Sequence, residues 1–372
     1  MLKHIVSFLS VLLVILASGC GRGKSREIKI GILTPLTGDV SSWGAMQKRS
    51  TELALEKVNG EGGIDGENVR VIYEDDQANP KVGLNAFKKL AEVDQVPIVV
   101  GSPASNVTLA VAQTANEDKV VLLSSGSTAT DVGKAGPYVF RIMPSDEVQS
   151  TIMAKWTFEL GFNRVAIIYE ENAWGQGLMN SFKEDFPKDG GKIVSIEGVP
   201  PSCSDFRTVL SKIKGEQPDA IFAPVYTRGA GLMIKQARQL GIKQQFLGAD
   251  VYNTPELVAA GGTAVNGTIY TTFGKYGGPE FQGVTNAYKA KYGIDMETYA
   301  SYCYDAFMIA VKAIRDAKKG GDVTGESVRK NILALIDYHG VTGLSDFSGK
   351  NSASGKTFDK MIVKEGKHVL YQ

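Results

Sequence analysis

The sequence has few of the residues on which histidine-centred catalysis and transition-metal sites depend. Only three cysteines and three histidines occur in its 372 residues, and His4 and Cys20 fall in an N-terminal segment that is typical of a targeting signal. The net charge is also close to zero, since the chain has 41 Lys and Arg and 40 Asp and Glu. Phosphate binding needs a cationic excess. We therefore expect no metal site and no nucleic-acid partner.

Glycine-rich phosphate loops are missing as well. Five residues separate Gly349 from Gly355, where a P-loop has four, and the segment that follows has the pattern of a strand. No Gly-x-Gly-x-x-Gly motif follows the first predicted strand. His339 and His368 lack a neighbouring nucleophile motif. The sequence thus predicts neither a cofactor nor an enzyme.

Long hydrophobic runs are absent after the N-terminus. The run from Ile5 to Leu16 has about twelve residues, whereas a membrane-spanning helix needs roughly 20. Lys3 precedes this run, and small residues lead from it to Cys20, as in a signal peptide. The pattern resembles a bacterial lipoprotein signal, which predicts a signal peptide over 1–19, acylation of Cys20 and a tether over 20–26. Ordinary cleavage without acylation is the alternative.

What the chain does contain is a regular alternation of short Val- and Ile-rich runs with helical patterns, which is typical of an α/β fold with parallel sheets. The predicted strands are Ile28–Leu33, Val69–Tyr73, Val96–Val100, Val120–Leu123, Arg164–Tyr169, Ala220–Ala223 and Thr268–Thr272. The helical segments carry apolar faces that should pack on the sheets. Two such faces are Val82, Ala86, Leu90 and Val93, and Val148, Ile152, Trp156 and Leu160.

A repeated strand pattern suggests that the chain has two similar halves. The stretches 70–75 and 164–171 each end in an acidic turn before a helical segment. A boundary near Pro144, where a strand pattern stops, would separate the halves. Chance similarity between two strands is the alternative.

Two hydroxyl-rich, almost uncharged loops follow predicted strands, at 101–108 and 124–131. In open parallel sheets, ligands bind beyond the carboxyl ends of the strands. The free N–H groups of a helix N-terminus, together with Ser and Thr hydroxyls, suit a carboxylate. Ordinary helix capping by these residues is the alternative.

An isolated carboxylate and several aromatic rings follow other strands. Asp250 comes after the strand near Phe246 and could accept hydrogen bonds from an ammonium group; a surface position is the alternative. Trp43, Trp174 and Tyr226 lie in loops, where large rings are unexpected unless something covers them. A zwitterion with a hydrophobic side chain would use all of these groups.

The sequence motifs resemble those of the branched-chain amino-acid-binding proteins of ABC transporters, over nearly the whole chain after the signal segment. The matching segments are 28–38, 43–44, 58–66, 73–76, 101–108, 126–128, 173–177, 235–238, 248–250, 304–306 and 340–343. The resemblance implies a type I periplasmic binding protein, with two Rossmann-like lobes joined by three crossings. The N-terminal lobe would comprise 27–143 plus 273–348, and the C-terminal lobe 144–272 plus 349–372.

The resemblance also implies roles for individual residues. Ser105 and Thr128 would bind the ligand carboxylate through hydroxyl and main-chain N–H groups. The Gly126 carbonyl and the Asp250 carboxylate would bind its ammonium group. The side-chain pocket would be walled by Trp43, Trp174, Tyr226 and Tyr299.

The implied function is that of an extracytoplasmic solute-binding protein. It would capture an amino acid, branched-chain or otherwise hydrophobic, by closing its lobes, and deliver it to an ABC permease. We expect a monomer in the periplasm or at the cell surface, attached to the membrane only through its lipid anchor. The alternatives are binding of another small carboxylate, such as an aromatic acid or an amide, and a sensor on the same scaffold.

Some positions depart from the best-known leucine/isoleucine/valine binder of the family. Trp174 replaces a smaller ring and Asp250 replaces a Glu, which leaves the identity of the ligand side chain open. Ala78 and Ala104 stand where that protein has a disulfide. The remaining cysteines, Cys203 and Cys303, are expected to be unpaired.

Overall fold

The computed structural model describes residues 27–274 and 276–372. The predicted signal peptide, Cys20 and the tether lie outside these residues. The strands are β1 (Ile28–Thr34), β2 (Val69–Asp75), β3 (Ile98–Gly101), β4 (Val121–Ser124), β5 (Val139–Arg141), β6 (Arg164–Glu170), β7 (Lys192–Val199), β8 (Ala220–Phe222), β9 (Gln245–Gly248), β10 (Ile269–Phe273), β11 (Tyr338–Gly340), β12 (Gly343–Ser345), β13 (Phe358–Lys364) and β14 (Lys367–Leu370). The helices are α1 (Ser41–Gly60), α2 (Pro80–Lys88), α3 (Ser105–Glu117), α4 (Asp146–Glu159), α5 (Ala173–Asp185), α6 (Arg207–Glu216), α7 (Thr227–Gln239), α8 (Pro255–Gly261), α9 (Pro279–Tyr292), α10 (Thr298–Lys319) and α11 (Gly325–Leu333).

The first lobe is built on a parallel sheet with the strand order β2-β1-β3-β4-β5. One face packs against α1, α10 and α11, and the other packs against α2 and α3. A strand that is buried on both faces reads as a continuous apolar run. This is why β1, β3 and β4 stand out in the sequence.

The second lobe is built on a sheet with the order β14-β13-β10-β9-β8-β6-β7. Strands β6 to β10 pair in parallel, whereas the β13–β14 hairpin adds to the edge in antiparallel pairing. Separate hydrophobic clusters cover its two faces. The α/β fold and the parallel-rich sheets in two lobes agree with the sequence prediction.

Chain segments pass from one lobe to the other after β5, after β10 and before β13. Residues Asn351, Ser352 and Ala353 still lie along β5. Asn351 Nδ2 donates to the carbonyl of Val139 at 2.9 Å, and Ala353 N donates to that of Arg141 at 3.0 Å. Residues 351–353 therefore contact the first-lobe sheet, and the division of the lobes at 348/349 stays a prediction.

The predicted strands coincide with observed strands to within two residues at each end. The edge strand β7 was missed, because its residues are mostly half-buried and form no apolar run. Cys203 and Cys303 are both free, as expected. No helix in 27–274 or 276–372 has the length and apolar character needed to cross a bilayer.

Two predicted helix contacts are wrong. Val93 is 72% exposed because α2 ends at Lys88 and continues as a π-helical turn over Lys89–Val93, which shifts the side-chain register. Val148, in the first turn of α4, is 49% exposed, while Trp156 further along the same helix is buried.

Candidate ligand-binding site

A cavity of about 60 Å³ lies between the two lobes, beyond the carboxyl ends of their strands. Every residue predicted to contact a ligand lines it. These residues are Trp43, Ser105, Gly126, Thr128, Trp174, Tyr226, Asp250 and Tyr299. Parallel strands end on the same side of a sheet, so residues distant in sequence converge here.

The two hydroxyl-rich loops are held together by hydrogen bonds between their own residues. Ser124 Oγ donates to the Ser102 carbonyl at 2.7 Å and accepts from Ser127 N at 2.8 Å. Ser127 Oγ lies 2.9 Å from Thr108 Oγ1. These hydroxyls fix the two loops to each other and do not cap the helical segments that follow them.

Ser105 and Thr128 differ from their neighbours because they border the cavity. Ser105 is the first residue of α3, and its Oγ accepts a hydrogen bond from Ala129 N at 3.2 Å. The hydroxyl hydrogen of Ser105 therefore remains available to a ligand. The main-chain carbonyl of Thr128 accepts bonds from Arg141 Nη1 and Asp146 N, which positions its side chain at the cavity wall.

Gly126 occupies a position where no side chain fits. A Cβ there would lie 2.8 Å from Pro103 Cα and 2.9 Å from the Tyr299 ring. Both neighbours also line the cavity. The absence of a side chain at Gly126 thus lets Pro103 and Tyr299 pack directly against its main chain.

Asp250 begins a 3₁₀ turn immediately after the β9 loop, in the second lobe. Its Oδ1 is buried and accepts no well-directed hydrogen bond from a described residue, although Gln149 and Trp174 lie nearby. Burial raises the pKa of this carboxyl to about 7. An unpartnered buried carboxylate favours a cationic ligand group.

Asp146 is a buried carboxyl that sequence reasoning missed. It is fully buried at the start of α4, and neither of its oxygens makes a well-directed hydrogen bond within the described residues. Burial, and then the charge of Asp250, raise its pKa well above the usual range, whereas Thr128 and Arg141 act in the opposite direction. In the sequence it was visible only as an acidic residue at a helix start.

Aromatic rings from both lobes form one wall of the cavity. Trp43 of the first lobe meets Tyr226 of the second edge-on, with ring centroids 5.0 Å apart, and Trp174 lies 5.1 Å from Tyr226. Tyr299 turns its hydroxyl away to Ser125 Oγ at 3.2 Å. Its ring therefore faces the cavity as an apolar surface.

Nine further lining residues were not predicted; Pro103 lies in the 101–108 loop, and the others come from helices, from strand ends and from the segment after Asp250. The nine are Met46, Pro103, Met143, Val251, Asn253, Thr254, Thr272, Phe273 and Thr298.

The lobes also touch outside the cavity. Asp39 of the first lobe accepts a hydrogen bond from Ser202 Oγ at 2.8 Å, and its Oδ1 lies 3.7 Å from Arg228 Nη1 in the second lobe. The structure therefore has the lobes in contact.

Residues 27–363 match the protein family described as periplasmic binding protein. The chain belongs to this family. Its relatives include a Leu/Ile/Val-binding protein homolog from Brucella melitensis, which is 29% identical over 92% of this chain and 93% of the relative.

Solved structures of similar proteins share the architecture. The leucine-binding protein LivK of Thermotoga maritima has a TM-score of 0.84 and 29% identity, with 93% of this chain and 98% of that chain covered. The branched-chain amino acid transporter substrate-binding protein LivJ of Streptococcus pneumoniae, in complex with isoleucine, has a TM-score of 0.84 and 26% identity, with 92% and 98% covered.

These comparisons confirm the family and the fold that the motifs predicted. Members of the family are substrate-binding proteins of transporters, and membership implies an extracytoplasmic location. The roles of the individual cavity residues in this binding protein stay predictions.

Proposed function

We propose that this periplasmic binding protein captures an amino acid with a hydrophobic side chain by closing its lobes around it. The observation that carries the proposal is the composition of the cavity wall. Ser105 and Thr128 of the first lobe offer hydroxyl groups to a carboxylate. Asp250 of the second lobe offers an ammonium a carboxyl oxygen, Oδ1, that is buried without a well-directed hydrogen bond among the described residues. The similarity to Leu/Ile/Val-binding proteins supports the same ligand class.

The ammonium group of the ligand would stabilise the Asp250 carboxylate. Taking a carboxylate out of water is unfavourable unless a donor or a cation replaces the lost hydration. Within the described residues, Asp250 Oδ1 and both carboxylate oxygens of the neighbouring Asp146 have no well-directed donor. The ammonium of an amino acid supplies up to three N–H groups at this point. A purely anionic ligand would instead add negative charge beside Asp250.

The ligand side chain would lie against the rings of Trp43, Trp174 and Tyr226. The Tyr299 ring would face the main-chain end of the ligand. Removing apolar surface from water contributes roughly 25 cal/mol per Å². Closure also strengthens the ionic contacts, because the effective dielectric falls as water leaves.

Binding then couples to lobe closure, because neither lobe alone supplies both ends of the site. We retain the division into lobes predicted from the sequence, with residues 349–353 moving with the first lobe because they pair with β5. The closed, loaded form would be recognised by an ABC permease. We propose a monomer that binds without catalysis and without a cofactor, with Gly126 lending its carbonyl to the ammonium.

We further propose that the protein is held at the membrane surface through acylated Cys20, as the N-terminal pattern suggests. A Cys20→Ser variant tests this. Metabolic labelling with a fatty acid should mark the parent protein and not the variant, and the variant should appear in the soluble extracytoplasmic fraction. Equal labelling of both would reject the anchor.

Calorimetry with matched ligands tests the capture of an amino acid. Leucine, isoleucine and valine should bind. Isocaproate, which is leucine without its amine, and isoamylamine, which is leucine without its carboxylate, should each bind at least about tenfold more weakly. Benzoate serves as the aromatic acid. Tighter binding of isocaproate or benzoate than of leucine would reject the proposal in favour of a carboxylate receptor.

A further inference from the structure

A second, larger cavity lies next to the predicted amino-acid site. It has a volume of about 750 Å³ and is formed by loops of both lobes, at the cleft mouth near Asp39 and Ser202. Among the described residues, only Trp43 and Tyr226 line both this outer cavity and the inner one. Because their rings are in edge-on contact across the lobes, they form the partition between the two spaces.

Both rings of the partition are held in place. Trp43 precedes Gly44, where a Cβ would lie 2.1 Å from the Pro35 carbonyl oxygen, so the start of α1 packs directly on the β1 loop. Tyr226 N donates to Glu170 Oε2 at 3.0 Å, and its ring also lies against Trp174. Each ring of the partition is therefore positioned by contacts within its own lobe.

The outer cavity differs from the inner one in chemistry. Its lining includes Glu170, which is buried, and Glu256, whose Oε2 is buried without a hydrogen-bond partner among the described residues. Asn106 Oδ1 is likewise buried and unpartnered there. Arg228, a cation in the same lining, faces Asp39. Glu170 already accepts hydrogen bonds from Asn172 Nδ2 and Tyr226 N. Glu256 Oε2 and Asn106 Oδ1 lack donors, and such acceptors suit a hydrogen-donating or cationic group.

We propose that Trp43 and Tyr226 limit the length of the ligand side chain, and that the outer cavity is a subsite for the cationic end of a longer α-amino acid once this partition is opened. The inference rests on the proposed function, because it needs the main-chain end of the ligand at Ser105, Thr128 and Asp250. The side chain then points towards the rings. An unbranched stem that passes them enters the cavity that Glu256 lines.

Three amino acids distinguish the effect of side-chain length on binding from the effect of side-chain charge. Leucine has the branched apolar side chain proposed for the inner cavity, norleucine has an unbranched apolar side chain, and lysine has that side chain with a terminal ammonium. Calorimetry on the full mature chain should show leucine binding to the parent protein, with lysine at least about a hundredfold weaker. Trp43→Ala should bind leucine more weakly and should gain lysine affinity by about tenfold or more over the parent.

The acceptors are tested in the Trp43→Ala background. Adding Glu256→Gln should reverse most of the lysine gain and leave norleucine binding unchanged, because only lysine carries a charge into the outer cavity. Equal gains for lysine and norleucine, insensitive to Glu256→Gln, would overturn the acceptor subsite.

Tyr299→Ala is the matched control, since this ring lines the inner cavity only. It enlarges that cavity without opening the partition and should give no lysine gain. A lysine gain equal to that of Trp43→Ala, or lysine binding by the parent protein as tight as leucine, would overturn the partition.

A second variant from the other lobe covers the case in which Trp43→Ala does not fold. Tyr226→Ala should give the same lysine gain, and its absence in a folded variant would reject the inference. Failure of the proposed function is distinct, because the parent protein would then bind neither leucine nor any other amino acid tested.

Discussion

At the scale of single residues, Asp250 and Asp146 set the electrostatics of the inner cavity. Two carboxyls that are buried near each other cannot both ionise easily, because each lacks hydration and repels the other. The pKa of Asp250 is raised to about 7 by burial, and that of Asp146 is raised further by the charge of Asp250. A ligand cation at this point relieves both effects.

Asp250→Ala should weaken leucine binding by about tenfold or more, because it removes the ionic partner of the ammonium. Calorimetry measures the change. Lys360→Ala is the control, since Lys360 pairs with Glu159 on the exposed surface and lies over Trp156, away from the cavity. Unchanged leucine affinity in Asp250→Ala would reject the ammonium assignment.

Leucine affinity should depend on pH through Asp250. Its pKa in the ligand-free protein is raised to about 7, and an ammonium binds the ionised form. Protonation below this pKa therefore competes with the ligand, and affinity should fall by about tenfold from about pH 8 to about pH 5.5. An Asp250→Asn variant should show a flat profile over the same range. A parent profile that is equally flat would contradict the expectation.

The double variant Ser105→Ala, Thr128→Ala should abolish carboxylate recognition. It removes the two hydroxyls proposed to bind the carboxylate, and with them the bond that Ser105 Oγ accepts from Ala129 N, and keeps the loop bonds of Ser124 and Ser127. Leucine binding should therefore be lost in calorimetry while the unfolding temperature of the ligand-free protein stays close to that of the parent. Retained leucine binding would mean that the carboxylate sits elsewhere.

At the scale of elements, the end of α2 shows how a local helix irregularity changes which side chains are buried. A regular helix would place Leu90 and Val93 on one face. The π-helical turn over Lys89–Val93 keeps Leu90 fully buried and turns Val93 to solvent. The apolar pattern predicted the helix correctly, but its prediction that Val93 packs on the sheet is wrong.

Leu90→Ala should lower the free energy of unfolding of the ligand-free protein by about 2 to 4 kcal/mol, since it leaves a cavity among Phe87, Val96 and Val99. Val93→Ala, from the same turn, should change it by less than about 0.5 kcal/mol because its side chain already meets water. Urea denaturation compares the two. Equal effects would show that Val93 packs in solution.

At the scale of the whole molecule, the contact of Asp39 with Ser202 and Arg228 favours the closed arrangement of the lobes. These groups do not line the inner cavity, so their effect on a ligand there is indirect. A ligand that bridges the lobes and a contact that bridges them both shift the equilibrium between open and closed lobes towards the closed form. Exposed pairs of this kind contribute little individually.

Asp39→Ala should therefore weaken leucine binding by only about twofold to fivefold, mainly through faster dissociation. Stopped-flow fluorescence of the cavity tryptophans measures the rate. Glu52→Ala is the control, because Glu52 pairs with Lys48 within α1 and touches one lobe only. A loss as large as that of Asp250→Ala would mean that Asp39 contacts the ligand.

The amino-acid sequence alone was sufficient for the alternation of strands and helices, the family, and eight of the residues that line the inner cavity. Strands buried on both faces are apolar throughout, and the parallel arrangement puts their loops at one edge. The two hydroxyl-rich loops and Asp250 could therefore be selected from loop position and side-chain chemistry, whereas the choice of Ser105 and Thr128 within the loops came from the resemblance to the family.

Only the tertiary structure decided which hydroxyls bind each other and which face the cavity, that Asp146 lies beside Asp250, and that Trp43 and Tyr226 divide two cavities. Each of these depends on the distance between segments far apart in the chain and on which side chains remain without a partner after packing. Sequence periodicity reports the face of an element on which a residue lies, but the partner across that face is set by how the two lobes come together.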